Sequence, residues 1–199
     1  MRASKSSPRR GRSTVIIIAL LTIVPLLLAW YYASHPELIT RRSNYGQLIV
    51  PPHPLDGSEF VVTATSPAPL EDSKGRWVLL QIAPEGCQTA CAETLHKTHQ
   101  ARLMLNKEIS RVRRLLVLPG SQSGWIPTAE QQEDQSLIIV MTSSTHLQNL
   151  IEAAGGQLPD DALILMDPLG NLILHYGSGF DPYGLVKDLR HLLKVSQIG

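Results

Sequence analysis

From Thr14 to Ala33 the chain runs TVIIIALLTIVPLLLAWYYA, with no side chain that carries charge at neutral pH. As a helix rising 1.5 Å per residue, such a stretch reaches about 30 Å, the thickness of a bilayer's hydrocarbon core. Pro25 falls inside it, and a membrane helix tolerates the kink. Arg2, Lys5, Arg9, Arg10 and Arg12 precede the run, and no acidic residue occurs until Glu37. That asymmetry holds the N-terminus in the cytoplasm and sends the remainder across the membrane. Trp30, Tyr31 and Tyr32 stand at the far edge, where amphipathic rings favour the interface. The rival is a cleaved signal peptide, but the apolar run is too long for an h-region and no small-x-small site follows it cleanly. The expected organisation is a basic cytoplasmic tail (1–13), a single-pass anchor in a bacterial-type inner membrane (14–33), a tether (34–57) and a periplasmic domain (58–199).

The anchor changes what the charge balance means. Five of the eighteen Lys and Arg residues lie in the tail, leaving thirteen against seventeen Asp and Glu in the remainder. An acidic exported domain has no electrostatic reason to bind nucleic acid. About 165 residues follow the span, enough for one domain with a real core.

The tether, SHPELITRRSNYGQLIVPPHPLDG, is rich in proline and polar residues, with room for a short strand at Gln47–Val50. Glu59–Thr65 (EFVVTAT) has strand character. Arg76–Ala83 (RWVLLQIA) is nearly all apolar, as expected of a strand buried on both faces, and Pro84 and Gly86 stop it. Helix formers run from Gln88 to Ile109. Arg113–Gly120 and Ser136–Thr142 suggest two further strands, separated by the long polar loop SQSGWIPTAEQQEDQ. Ser143 or Ser144 caps a helix through Ala154, closed by Gly155 and Gly156. ALILMD and NLILHY are joined by the turn Asp167-Pro168-Leu169-Gly170. Asp181 and Pro182 open a last helix, amphipathic at Leu185, Leu189, Leu192 and Leu193. Interleaved strands and helices with a closing β-β-α predict an α/β fold, a mixed sheet covered on both faces.

The chain's two cysteines, Cys87 and Cys91, follow the first core strand directly. Strand ends of open α/β sheets are where reaction sites tend to lie. Cys87 is expected in the first turn of the first core helix, whose N-terminus favours thiolate over thiol, the condition for nucleophilicity or metal ligation. Residues four apart on a helix project from one face about 6 Å apart, within disulfide range. Such a pair can cycle between dithiol and disulfide, or hold a soft cation such as Cu(I). In an oxidising compartment a structural staple is the plain alternative. A staple closing so short a loop gains little chain entropy, however, and staples normally join distant elements.

Four segments together carry a family resemblance: EFVVTAT, KGRWVLLQIAPEGCQTACAETL, IIVMTSSTHLQNLIEAAGG and ALILMDPLGNLILHYGSGFDPYGLVKDLRHLL. They resemble the Sco/SenC family, membrane-anchored thioredoxin-fold proteins with a C-x-x-x-C motif that assist copper delivery to cytochrome c oxidase. The resemblance implies a thioredoxin-like domain, Cys87 and Cys91 as copper-ligating or redox thiols, transiently bound Cu(I), and a cytochrome c oxidase subunit as partner.

The chain departs from the family in two places. Gln88 and Ala92 stand where prolines usually follow the cysteines. The family's third copper ligand, a histidine just before the strand matching LILMD, is missing from GGQLPDD. On a regular helix His96 and His99 point or lie too far from the thiols to share a metal with both. His146 and His175 could approach only through the fold, and His175, ending a strand near the family's ligand position, is the candidate third ligand; a partly exposed strand-end histidine is the bland account of it. His35 and His53 belong to the tether. Met104, Met141 and Met166 sit in apolar runs and fit core filling. Trp125, in the polar loop, has only its aromaticity to suggest a partner contact. Three functions follow: a Sco-like assembly factor, a general periplasmic thiol–disulfide oxidoreductase, or a non-catalytic interaction module.

Overall fold

The computed structural model describes residues 8–35, 44–122, 125–156, 159, 162–196 and 198. The chain separates into two compact units, Met1–Ser43 and Asn44–Gly199. In the first, helix α1 (Pro8–Ser34) contains Pro25, and its stretch Arg12–Ser34 is long and apolar enough to cross a membrane. Val15, Ile16, Ile17 and Ile18 are exposed on it at successive steps of about 100°, so apolar groups cover its whole circumference, as lipid requires. The hydroxyl of Thr22 donates to Ile18 O at 3.1 Å, so this polar group inside the span is satisfied within the helix.

The second unit is built on a seven-stranded sheet in the order β1-β7-β6-β3-β4-β5-β2. Strand β3 (Trp77–Ile82) lies at its centre with all six residues buried. It runs parallel to β4 (Val112–Pro119), which runs parallel to β5 (Leu137–Thr142). On its other side β3 pairs antiparallel with β6 (Leu163–Met166), followed by β7 (Asn171–Tyr176). The edges are β1 (Gln47–Pro54) and the two-residue β2 (Val61–Val62).

Because side chains alternate along a strand, β3 feeds two cores. Val78, Leu80 and Ile82 pack with Leu115, Ile138 and Ile164 beneath α4 (Ser144–Ala153). Trp77 and Leu79 face the other way, toward α2 (Thr89–Leu103) and α5 (Pro182–Val195). The buried stripe on α2 is Cys91, Thr94, Leu95, Thr98 and Ala101, steps of three and four that fall on one helical face. Each fully buried Leu or Ile in these layers contributes about 1.5–3 kcal/mol.

The local signals in the sequence act as expected at several places. Asp181 caps α5 by accepting from the N–H groups of Tyr183 and Gly184, and Ser143 caps α4 by accepting from His146 N. The β6–β7 turn closes through Gly170 N donating to Asp167 O, with Asp167 Oδ1 accepting from Leu169 N and Asn171 N.

Three expectations are corrected. The strand expected at Gln47–Val50 is present but longer, running to Pro54 as β1 and pairing with β7. The domain accordingly starts before residue 58, at Asn44. A buried carboxylate accounts for this start: Asp188 accepts from Tyr45 N, Gly46 N and the Tyr176 hydroxyl, each at 2.9 Å through Oδ2. Burial, and then this carboxylate, push the Tyr176 phenol above its ordinary pKa. The strand expected over 59–65 is only Val61–Val62, because Thr65 and Ser66 turn away and Ser66 Oγ instead accepts from Ile139 N. The long helix expected to Ile109 ends at Leu103; Asn106, with φ +52, starts a 3-10 turn that leads into β4.

Candidate functional site

Cys87 and Cys91 are joined as a disulfide, with Cα atoms 5.1 Å apart. Their placement begins with the exit from β3. Ala83 extends the ladder by donating to Val117 O, and Gly86 N then returns to Ala83 O at 3.0 Å. Gly86 closes that turn at φ +89, where a Cβ would also strike the Gln122 side chain. Gln88 remains extended (φ −96°, ψ −163°), and α2 starts at Thr89. Cys87 therefore precedes the helix instead of sitting in its first turn, while Cys91 is the third helical residue. The loop, not a shared helix face, brings the sulfurs together.

This arrangement gives the two cysteines unlike surroundings. Cys91 is 1% exposed, packed with Ala83, Leu95, Leu116 and Leu118, whereas Cys87 is partly open. Beneath them Gln81, buried on β3, donates from Nε2 to Cys91 O at 3.0 Å. Beside them Trp125 Nε1 donates to Cys87 O at 3.2 Å, and its ring packs on the same apolar cluster. The first turn of α2 contains no acidic residue, and no side chain caps it. The positive end of the helix dipole favours an anionic sulfur at this position.

The loop that carries Trp125 ends, after α3 (Ala129–Glu133), at a buried ion pair. Arg114, 3% exposed on β4, bonds Asp134, Thr98 Oγ1 and Leu95 O. Burial lowers the Arg114 pKa to about 10, and Asp134 opposes that shift. Burial also works against the Asp134 carboxylate, yet hydrogen bonds from Ser136 and the Arg114 charge hold its pKa below the usual value. Nδ1 of His99 lies 2.9 Å from Asp134 Oδ2, which ties α2 to the same pair.

The structure does not bring His175 to the sulfurs. His175 on β7 pairs with Ile164, whose side chain belongs to the core under α4, and it lines a hollow with Gly155 and β1. Cys91 lies on the opposite face of the sheet. The segment 157–161 that lacks the expected histidine falls largely outside the described residues. His96 is exposed on α2 and lines the groove beside Cys87; His146 packs edge-on against Phe60. Among the described residues, no group of three or more His, Cys, Asp or Glu stands where it could hold a metal ion. Met104, Met141 and Met166 pack in or against the apolar clusters.

Trp125, Gln81 and the Arg114–Asp134 pair were not evident from the sequence as parts of the site. The available signals were an aromatic residue stranded in a polar loop, and polar residues inside the apolar runs RWVLLQIA and RRLLVLPG, which burial obliges to find partners.

Residues 77–196 match the family model described as "Transmembrane-like, thioredoxin-like, C-terminal domain". The chain belongs to that thioredoxin-like family. Solved structures similar to this thioredoxin-like chain include yeast Sco1 with copper bound, at 16% identity, covering 63% of this chain and 80% of that one, with a TM-score of 0.48. Another is Arabidopsis thaliana ScoI with copper bound, at 18% identity over 61% and 88%, TM-score 0.43. A third is a putative electron transfer protein from Aquifex aeolicus VF5, at 15% identity over 69% and 95%, TM-score 0.48. No curated protein matches the chain.

Proposed function

We propose that this chain is a membrane-anchored, Sco-like thiol–disulfide exchange protein that reduces cysteines on its client, a copper-site subunit of cytochrome c oxidase. The observation that carries the exchange chemistry is the unequal exposure of the two sulfurs, Cys87 half-open and Cys91 at 1%. The half-open sulfur is the one a client can reach, and the buried one resolves. The Cys87 thiolate attacks one sulfur of the client disulfide; the other client sulfur leaves as a thiolate and takes up a proton. The Cys91 thiolate then attacks Cys87 Sγ, re-forms the intramolecular disulfide and releases the second client thiol. The client gains two electrons and two protons, and an external dithiol restores the chain by attacking Cys87.

The choice of client rests on the resemblance of the four quoted segments to Sco/SenC proteins. The basic residues before the apolar stretch, Arg2 to Arg12, support an orientation with residues 1–13 in the cytoplasm and the thioredoxin-like domain in the periplasm of a bacterial-type inner membrane. A general oxidoreductase of the same compartment shares the chemistry and differs only in client.

A second reading is favoured by the close approach of the two cysteines, whose Cα atoms are 5.1 Å apart: once reduced, they can hold Cu(I) as cargo between two thiolates. His175 is proposed as a third ligand only if reduction rearranges β7, since the sheet separates it from the sulfurs. Both readings are tested on the full-length chain in detergent. Exchange predicts that a dithiol and a disulfide peptide interconvert the oxidised and reduced chain, and Cys87→Ser abolishes this. Cargo binding predicts one Cu(I) per reduced chain against a competing chelator, lost in Cys87→Ser and weakened in His175→Ala only if that histidine joins the site.

A further inference from the structure

Many apolar side chains are exposed at the surface of the second unit, but Ile126 is exposed between two anchored neighbours and lines the same groove as Cys87. It is 73% exposed. Its preceding neighbour Trp125 is anchored by the hydrogen bond to Cys87 O and by packing on the cluster that includes Cys91. Its following neighbour Pro127 is buried, and its carbonyl accepts from Gln132 Nε2 at 3.1 Å. Next comes Thr128, locked with Gln131 in a reciprocal capping box at the start of α3 (Ala129–Glu133). A β-branched side chain fixed on both sides and still presented to water loses little entropy when something covers it.

Ile126 and Trp125 form one wall of a groove of about 750 Å³; Cys87 and Ala92 of the opposing segment line it, with His96 and Lys97 farther along α2. The position of the groove identifies its occupant. Cys91 is sealed, so a reaction partner reaches the pair at Cys87, and the polypeptide carrying the partner's sulfur must lie along the groove that Cys87 lines.

We infer that Ile126 is a specificity determinant of the exchange reaction: the groove between α2 and Trp125–Ile126 selects a client cysteine whose neighbouring side chain is apolar. This inference rests on the exchange reading proposed above. A client residue that buries Ile126 on docking gains apolar contact held through the transition state, and it positions the client disulfide for attack by Cys87. A serine in the same place leaves Ile126 exposed and gains nothing.

The test uses the reduced full-length chain in detergent and two disulfide-bridged peptides that differ only in having leucine or serine beside the attacked cysteine. Wild type should reduce the leucine peptide roughly tenfold faster, the scale on which one apolar group discriminates. Ile126→Ser should bring that ratio close to one, and Ile126→Leu should keep it. A ratio near one in wild type, or a tenfold ratio surviving in Ile126→Ser, overturns the inference and leaves exchange intact. Failure of wild type to reduce either peptide or hydroxyethyl disulfide overturns the exchange reading and the inference with it.

Discussion

Arg114 and Asp134 show how a few residues secure the site without touching the sulfurs. Losing one partner of a buried ion pair leaves the other charge uncompensated, so Asp134→Asn should destabilise the protein by about 3 kcal/mol in urea titration. The double variant Arg114→Met/Asp134→Asn should recover part of that loss, because the orphaned guanidinium is gone. The acid limb provides an independent check. The Asp134 pKa in the folded protein lies below its ordinary 3.8, so its contribution is present above that value and lost as pH falls through the folded pKa. Wild-type stability should therefore decline below about pH 4, and Asp134→Asn should show a shallower decline there. This pair was poorly legible in the sequence. RRLLVLPG showed an apolar run with arginines at its head, but nothing local indicates that the second arginine points into the sheet's helical face and reaches a carboxylate twenty residues on.

At the scale of elements, the turn between β3 and α2 sets the spacing of the cysteines. Gly86→Ala puts a side chain at φ +89 and against Gln122, so it should cost at least about 1 kcal/mol and loosen the approach of Cys87 to Cys91. Thermal unfolding reads the first effect, and the equilibrium constant with a dithiol reads the second. Asp181→Ala removes an acceptor for two N–H groups of α5 and should cost about 1 kcal/mol without changing that equilibrium.

Elements written in local patterns were legible from sequence: the buried run of β3, the capped α4 and α5, and the Asp-Pro-Leu-Gly turn. Elements decided by distant partners were not. Of β1 only the part at Gln47–Val50 was expected; its run through Pro51 and Pro52 to Pro54 is a strand because β7 offers it an edge. The cysteine spacing pointed to a redox or metal-binding pair, but it suggested a helix face where the fold uses a loop followed by a helix. His175 was legible as a strand-end histidine, and only the register of β6 against β7 reveals which face it occupies.

For the whole molecule, the domain's start is decided by Asp188 and not by composition. A chain beginning at Asn44 keeps Tyr45 and Gly46 as donors to that buried carboxylate, and it keeps β1 on the edge of β7. A chain beginning at Ser58 loses both and should melt at least about 10 °C lower, on the scale of several kcal/mol for a domain of this size. The proposed exchange, carried out by a domain tethered to an apolar anchor helix, depends on the unequal roles of the two sulfurs. The most direct test is to incubate full-length Cys91→Ser and Cys87→Ser separately with a disulfide-bridged peptide and weigh the products by intact-mass spectrometry. The account predicts a stable mixed disulfide on Cys87 in the Cys91→Ser chain and essentially none in the Cys87→Ser chain. Equal trapping on both, or trapping on Cys91 alone, would contradict it.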